Sequence, residues 1–283
     1  MSGRDPAPGS RPRAIVTGGA GFIGSHLVDR LVAEGVEVLV VDDLSTGEAG
    51  HLGPDVRLER LDIAAADLEP AFNAWRPSVV YHLAAQASVT ASVRDPLRDL
   101  AVNVVGSHRV AAAARAAGAT RLVSVSSGGA VYGETRTPAT EATLAAPISY
   151  YGVHKLAAEG HVTLAGPPCA IARPSNVFGP RQRAGLEGAV VAAFVDQAVT
   201  RGCLTIHGDG AQTRDFIHVL DVIDALWLLG RPETPAGVWN VAAGQGTSVN
   251  ALADEVERAF GAPLRRDHGP RRPGDVVHSA ISP

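Results

Sequence analysis

Apolar runs of strand length alternate with helix-length stretches over the first two thirds of the chain. Arg13–Thr17, Val36–Val41, Val56–Leu61, Ser78–His82, Arg121–Ser126 and Cys169–Arg173 predict strands. Between them, Phe22–Glu34, Asp67–Trp75, Leu97–Ala117 and Tyr150–Leu164 carry helical patterns. Such alternation builds a doubly wound α/β fold, a parallel sheet with helices on both faces. Consecutive apolar residues such as Val38–Val41 suit strands covered on both sides. After Gly179 the connections lengthen. A helix over Leu186–Thr200, a strand over Leu204–Ile206, a helix over Val219–Leu229, a strand near Val238–Val241 and a helix over Val249–Phe260 predict a smaller lobe. A first domain over 13–178 and a mainly ligand-binding lobe over 179–283 follow, the lobe on the C-terminal edges of the sheet. Met1–Pro12 is rich in Gly, Pro and Arg without an apolar core, and reads as a flexible leader rather than a signal peptide. Arg265–Pro273 is basic and rich in Pro and Gly. It reads as a loop, of the kind that holds phosphate beside a cleft.

Composition narrows the function classes. The chain has 283 residues, 46% hydrophobic and 19% charged, within the range of ordinary globular proteins. A net charge of −4 argues against a dominant role on nucleic acid or anionic membranes. No apolar run reaches a membrane span of about 20 residues. Cys169 and Cys203 lie far apart in apolar surroundings and read as free thiols in a reducing cytoplasm. Of the 25 basic residues, all are Arg except Lys155.

The first strand runs into Thr17-Gly18-Gly19-Ala20-Gly21-Phe22-Ile23-Gly24. Gly18, Gly21 and Gly24 lack Cβ atoms, so backbone N–H groups can approach a pyrophosphate there, and the helix that follows aims its positive end at the same spot. Asp42 ends the second strand, where a carboxylate accepts both hydroxyls of an adenosine ribose and repels a 2′-phosphate. NAD is therefore the expected cofactor and the sheet is of the Rossmann type. Asp43 adjoins this acid.

Further along stand Asp62-Ile63, His82-Leu83-Ala84-Ala85, Asn103, Ser126–Gly133, Tyr151-x-x-x-Lys155, Arg173–Gln182, His207-Gly208-Asp209-Gly210-x-Gln212-x-Arg214-Asp215 and Arg272-Pro273-Gly274-Asp275. Together and in this order they resemble the extended short-chain dehydrogenase/reductases, and among them the NAD-dependent nucleotide-sugar 4-epimerases. The resemblance implies that Phe22, Ile23, Asp62, Ile63, Leu83, Ala84, Ala85 and Asn103 join Gly18, Gly21, Gly24, Asp42 and Asp43 around NAD. It also implies a homodimer built on the helices Leu97–Ala117 and Tyr150–Leu164, and a C-terminus shorter than the family's.

Tyr151 and Lys155 are four residues apart, hence on one helix face. A free tyrosine titrates near ~10 and is a weak base at neutral pH. A neighbouring ammonium and the positive nicotinamide stabilise its phenolate. Lys155 can also bond the nicotinamide ribose. Tyr151 can then take a sugar hydroxyl proton while hydride leaves for NAD, and Ser127 would bond the same oxygen. Related dehydratases and decarboxylases carry acids just after this position. Here Gly128, Gly129 and Ala130 stand there, which favours simple 4-epimerisation.

The resemblance also assigns the substrate end. Arg214 and Arg272 would clamp the UDP diphosphate, Asp275 the ribose and Asn176 the sugar-side phosphate, with Thr205 and His207 along the uracil. Gly128 and Gln212 complete the set. Arg183 is the second Arg of Arg181-Gln182-Arg183 and would meet a C6 carboxylate, making UDP-glucuronate the expected substrate and UDP-glucose the alternative. No carboxylate or Cys stands at ligand spacing from His82 or His207, so no metal is expected.

Overall fold

The computed structural model describes residues 11–135, 137–185, 189–271 and 276–283. Strands β1 (Arg13–Thr17), β2 (Glu37–Asp42), β3 (Arg57–Arg60), β4 (Val79–His82), β5 (Arg121–Val125) and β6 (Cys169–Pro174) match the apolar runs closely. With a later strand, β10 (Gly237–Val241), they form a seven-stranded sheet in the order β10-β6-β5-β4-β1-β2-β3. Every pairing in it is parallel. The order reverses at β1, so the C-terminal ends of β1 and β4 flank a crevice where such sheets bind ligands.

Strand alternation divides two cores. Ala14, Val16, Val38, Val40, Val123 and Ala172 face α1 (Phe22–Ala33) and α9 (Val219–Leu229). Ile15, Leu39, Val41, Val80, Leu122 and Ile171 face α2 (Glu69–Trp75), α5 (Ser107–Ala116) and α7 (Tyr150–Ala165). Each fully buried side chain of this size contributes roughly 1.5–3 kcal/mol.

The long helix expected over Leu97–Ala117 is broken. Val89–Arg94 forms α3 and Pro96–Leu100 forms α4, then a π-helical turn covers Ala101–Gly106 before α5 begins. Such turns cluster at functional sites, and this one carries the buried Asn103.

The stretch 179–283 is not one separate lobe. The buried face of α9 (Val222, Ile223, Leu226, Leu229) packs back on the main sheet, and β10 pairs with β6 at its edge. The remainder forms a smaller layer. In it α8 (Val190–Arg201), β8 (Cys203–His207) and α10 (Val249–Phe260) enclose Phe194, Leu204, Ile206, Val249 and Val256. Strands β7 (Asn176–Phe178), β9 (Thr213–His218) and β11 (Gly246–Ser248) make a three-stranded sheet. Arg265–Gly269, expected as loop, is strand β12 and pairs in parallel with β8.

Candidate active site

The glycine loop sits at the sheet's switch point. Gly18 has φ +71°, and a Cβ there would lie 2.6 Å from the backbone nitrogen of Ala84. Only glycine lets this turn lie flat against the chain leaving β4. Helix α1 starts at Gly21 with no side chain capping its first N–H groups, which leaves them for an anion.

Asp42 is buried and fixed at both oxygens: Ala20 N–H donates to Oδ2 at 3.0 Å and Leu44 N–H to Oδ1 at 2.9 Å. Asp43 instead closes a turn with Ser45 at 2.9 Å. Asp62 accepts from the Ala64 amide and pairs with Arg98 at 3.1 Å, and Ile63 is buried against Gly106.

Leu83–Ala85 leave β4 beside Gly18, held by Leu83 N–H on the Thr17 carbonyl at 3.0 Å. The next residue, Gln86, is clamped by Asn103, which accepts from its backbone N–H at 3.0 Å and donates to its carbonyl at 2.9 Å. The carboxylate of Asp99, on α4, accepts from both Gln86 (2.5 Å) and Asn103 (3.1 Å), and bonds His154 on α7 at 2.5 Å. The buried amide of Asn103 thus serves to hold the Gln86 loop. Sequence reasoning missed Gln86, Asp99 and His154. Their only signal was polar residues in otherwise apolar stretches.

The turn that carries Ser127 follows β5. Ser127 precedes the short helix α6 (Gly128–Val131). Helix α7 starts opposite it, with Ser149 capping the Gly152 amide at 3.1 Å. Gly152 faces the turn: a Cβ there would lie 2.5 Å from the Ala130 carbonyl oxygen. That close approach brings the first turn of α7, with Tyr151, against the Ser127 segment. The Tyr151 amide donates to Ser92 at 3.2 Å.

Lys155 is buried, and its Nζ donates to the Val125 carbonyl at 2.6 Å. Burial lowers its pKa to about 8, against the opposing charges of Glu159 and Asp99. One turn on, Glu159 accepts from Ser126 at 2.5 Å and from Arg173 at 2.9 and 2.6 Å. Arg173 lies over the Tyr132 ring at 4.8 Å. This buried network ties the Ser126–Ser127 turn to α7 and β6.

His82 is also enclosed. Ser107 gives its proton to the Asn103 carbonyl, so His82 donates from Nε2 to Ser107 (2.8 Å) and accepts from Thr17 at Nδ1 (2.7 Å). Burial, with the Lys155 charge, lowers its pKa to about 3, which keeps it neutral.

The expected substrate residues are spread along the smaller layer. Asn176 opens β7 near the turn that carries Ser127: a Cβ on Gly129 would lie 3.7 Å from its Oδ1. Thr205 and His207 lie on β8, and Gln212 donates to the His207 carbonyl at 2.7 Å. Arg214 is on β9 and donates to the Thr213 carbonyl at 2.8 Å. Arg272 and Asp275 lie outside the described residues. Asp215, read only as part of a motif, is buried and joins the layers by accepting from Ser175 (3.1 Å), Ala243 (3.0 Å) and Gly244 (2.9 Å).

Arg183 has partners within the protein. Its guanidinium pairs with Glu48 at 2.8 Å and donates to the Thr46 carbonyl at 3.2 Å. Both partners belong to the loop that follows Asp42, on the dinucleotide side. Motif position alone did not reveal this, because Glu48 is distant in sequence.

Residues 14–242 match the model of the NAD dependent epimerase/dehydratase family. The chain belongs to this family. As a member it takes NAD as cofactor, and the bare turn at Gly18, the uncapped start of α1 and the anchored Asp42 carboxylate fit a dinucleotide. This epimerase/dehydratase is 41% identical over 279 residues to UDP-glucose 4-epimerase of Mycolicibacterium smegmatis, covering 95% of this chain and 89% of that protein. Its fold matches the UDP-glucose 4-epimerase of Thermus thermophilus, solved with NAD, at a TM-score of 0.91 and 37% identity over 96% of this chain and 90% of that one. MoeE5, solved with UDP-glucuronic acid and NAD, matches at a TM-score of 0.85 and 33% identity over 95% of this chain and 89% of that one.

Proposed function

We propose that the chain is a UDP-sugar 4-epimerase whose substrate is UDP-glucose. One observation carries the reaction type: the turn after Ser127 is Gly128, Gly129 and Ala130, packed directly against the helix of Tyr151 and Lys155. It offers no acid to move a ring-carbon proton, so elimination has no catalyst there. What the residues can do is move one hydroxyl proton.

When bound, NAD supplies a hydride acceptor, and its reduced form a hydride donor. The glycine loop and Asp42 would hold its adenosine and pyrophosphate, and the Leu83–Gln86 loop the rest. Tyr151 takes the C4 hydroxyl proton of the sugar and returns it to the inverted alcohol. The Lys155 ammonium stabilises the phenolate that takes this proton and is formed again when the proton is returned. Ser127 bonds the same oxygen. The 4-keto sugar turns over before reduction, so the reaction is redox-neutral.

Two observations favour glucose over glucuronate. UDP-glucose 4-epimerases are among the most similar relatives, and the Arg expected on a C6 carboxylate is engaged by Glu48. UDP-glucuronate is the second reading, favoured by the likeness to MoeE5. Arg214, Asn176, Thr205, His207, Gln212, Arg272 and Asp275 are the proposed UDP contacts.

The protein acts as a cytoplasmic homodimer. Exposed Leu97, Leu100, Tyr150 and Val153 on α4 and α7 support a helical interface, and burial pushing the Cys169 thiol up to about 12 supports an inert free thiol. Among the described residues, no helix is long and apolar enough to cross a membrane. Proton NMR of UDP-glucose and UDP-glucuronate in parallel tests this assignment. Galactose signals without NADH accumulation support it, and turnover of UDP-glucuronate alone overturns the substrate.

A further inference from the structure

The segment leaving β7 folds back over α1 and the loop that follows Asp42. Pro180 accepts from His26 Nε2 at 3.0 Å, and Arg181 pairs with Asp29 at 2.8 Å. His26 and Asp29 both lie on the helix that starts at the glycine loop. Just past Gln182, the strap reaches the opposite anchor, where Arg183 meets Glu48 and Thr46. That anchor is itself stitched to the glycine loop, since the Glu48 amide donates to the Ala20 carbonyl at 2.9 Å.

The strap is built rather than loose. Arg181 has φ +66°, a conformation that non-glycine residues keep only where surrounding contacts impose it. Gln182 donates to the Val177 carbonyl at 2.9 Å. Two of its polar atoms, Arg181 Nη1 and Gln182 Oε1, are buried without a hydrogen-bond partner among the described residues. Buried polar groups are nearly always paired, so these two atoms call for a partner that the described residues do not supply.

We infer that residues 179–183 form a clasp that retains NAD, with the Arg183–Glu48 pair as its latch. Opening the clasp separates the strap from both elements that hold the adenosine half of the dinucleotide. A 4-epimerase must keep its reduced cofactor until the keto sugar has turned over, and a slow off-rate serves that need. The proposal rests on the NAD cofactor and not on which sugar is the substrate, so it survives a failure of the UDP-glucose assignment.

The test measures release of bound NAD from holoenzyme, chased with an excess of fluorescent etheno-NAD. Arg183→Ala and Glu48→Ala should each speed release by up to about 5-fold, the scale of one exposed ion pair. The double variant should be no faster than the singles, and the swapped pair Glu48→Arg with Arg183→Glu should recover slower release. Wild-type release should quicken between 0.1 and 1 M salt, and that of Glu48→Ala much less; this comparison holds even if Arg183→Ala fails to fold. Unchanged release in both single variants overturns the proposal. So does an additive double variant, or an Arg183→Ala enzyme whose sole change is a raised KM for UDP-glucuronate.

Discussion

The dinucleotide half and the substrate half of this molecule are built on different logic. In the first, most of the expected site residues sit at the end of an apolar strand or in the first turns of a helix: Thr17 closing β1 with the glycine loop after it, Asp42 at the end of β2, Ser127 after β5, Tyr151 and Lys155 at the start of α7. Local pattern therefore positions them. In the second, β7, β9, β11 and β12 are three to six residues long and pair with segments far away in the chain. A side chain there takes whatever partner the packing brings, as Arg183 takes Glu48. Residues at strand ends and helix starts are readable from local pattern, while partners brought together by packing are not.

Four changes would break or sharpen this contrast. The largest effect belongs to Tyr151→Phe, which removes the proposed acid–base group. Turnover should fall by about 10³-fold or more, with NAD still bound at one per chain by absorbance. Lys155→Arg comes next. The buried Lys155 ammonium donates to the Val125 carbonyl at 2.6 Å, and a longer, planar guanidinium would have to displace that contact. A loss on the order of 10²-fold in kcat is expected from misplaced phenolate support.

The pH profile gives a smaller, graded effect. Lys155 loses its proton near pH 8 in the folded protein, so kcat/KM should decline above about pH 8, well before the ordinary lysine range near ~10.4. Its folded pKa is depressed, so the unfolded chain holds the proton longer, and this group's contribution to stability rises from pH 8 towards 10.5. Activity lost without a matching drop in melting temperature identifies deprotonation rather than unfolding. The smallest effect crosses the two halves. A Cβ on Gly128 would collide with Ile281 Cδ1 and lie 3.0 Å from the Arg173 carbonyl oxygen. Gly128→Ala should cost about 1–3 kcal/mol in urea unfolding, and Gly128→Ala with Ile281→Val should recover part of that.

Much of the first half was legible because both faces of its strands are buried and its helices carry one apolar stripe. The bounds of β1 and α9 agree with the pattern, and most other core elements differ by a residue or two. The break at Ala101–Gly106 was not legible, since a π turn keeps the helical pattern of the sequence while rotating Asn103 towards Gln86. Nor was the return of α9 and β10 to the main sheet. Amphipathic periodicity says that a face is buried but not against which partner. In the site, Tyr151 and Lys155 were expected from their four-residue spacing only in company with the glycine loop and the family's other motifs. The groups behind them, Asp99, His154 and Glu159, were not, because a buried polar residue is recognised only by the partners that satisfy it.

The central claim is that one hydride leaves and returns to the same sugar while Tyr151 moves one proton. Incubating the holoenzyme with UDP-glucose deuterated at C4, and following UDP-galactose by proton NMR, tests it directly. The account requires deuterium to remain at C4 of the product with no NADH accumulating at 340 nm. Loss of the label to solvent, or steady build-up of NADH, would contradict it.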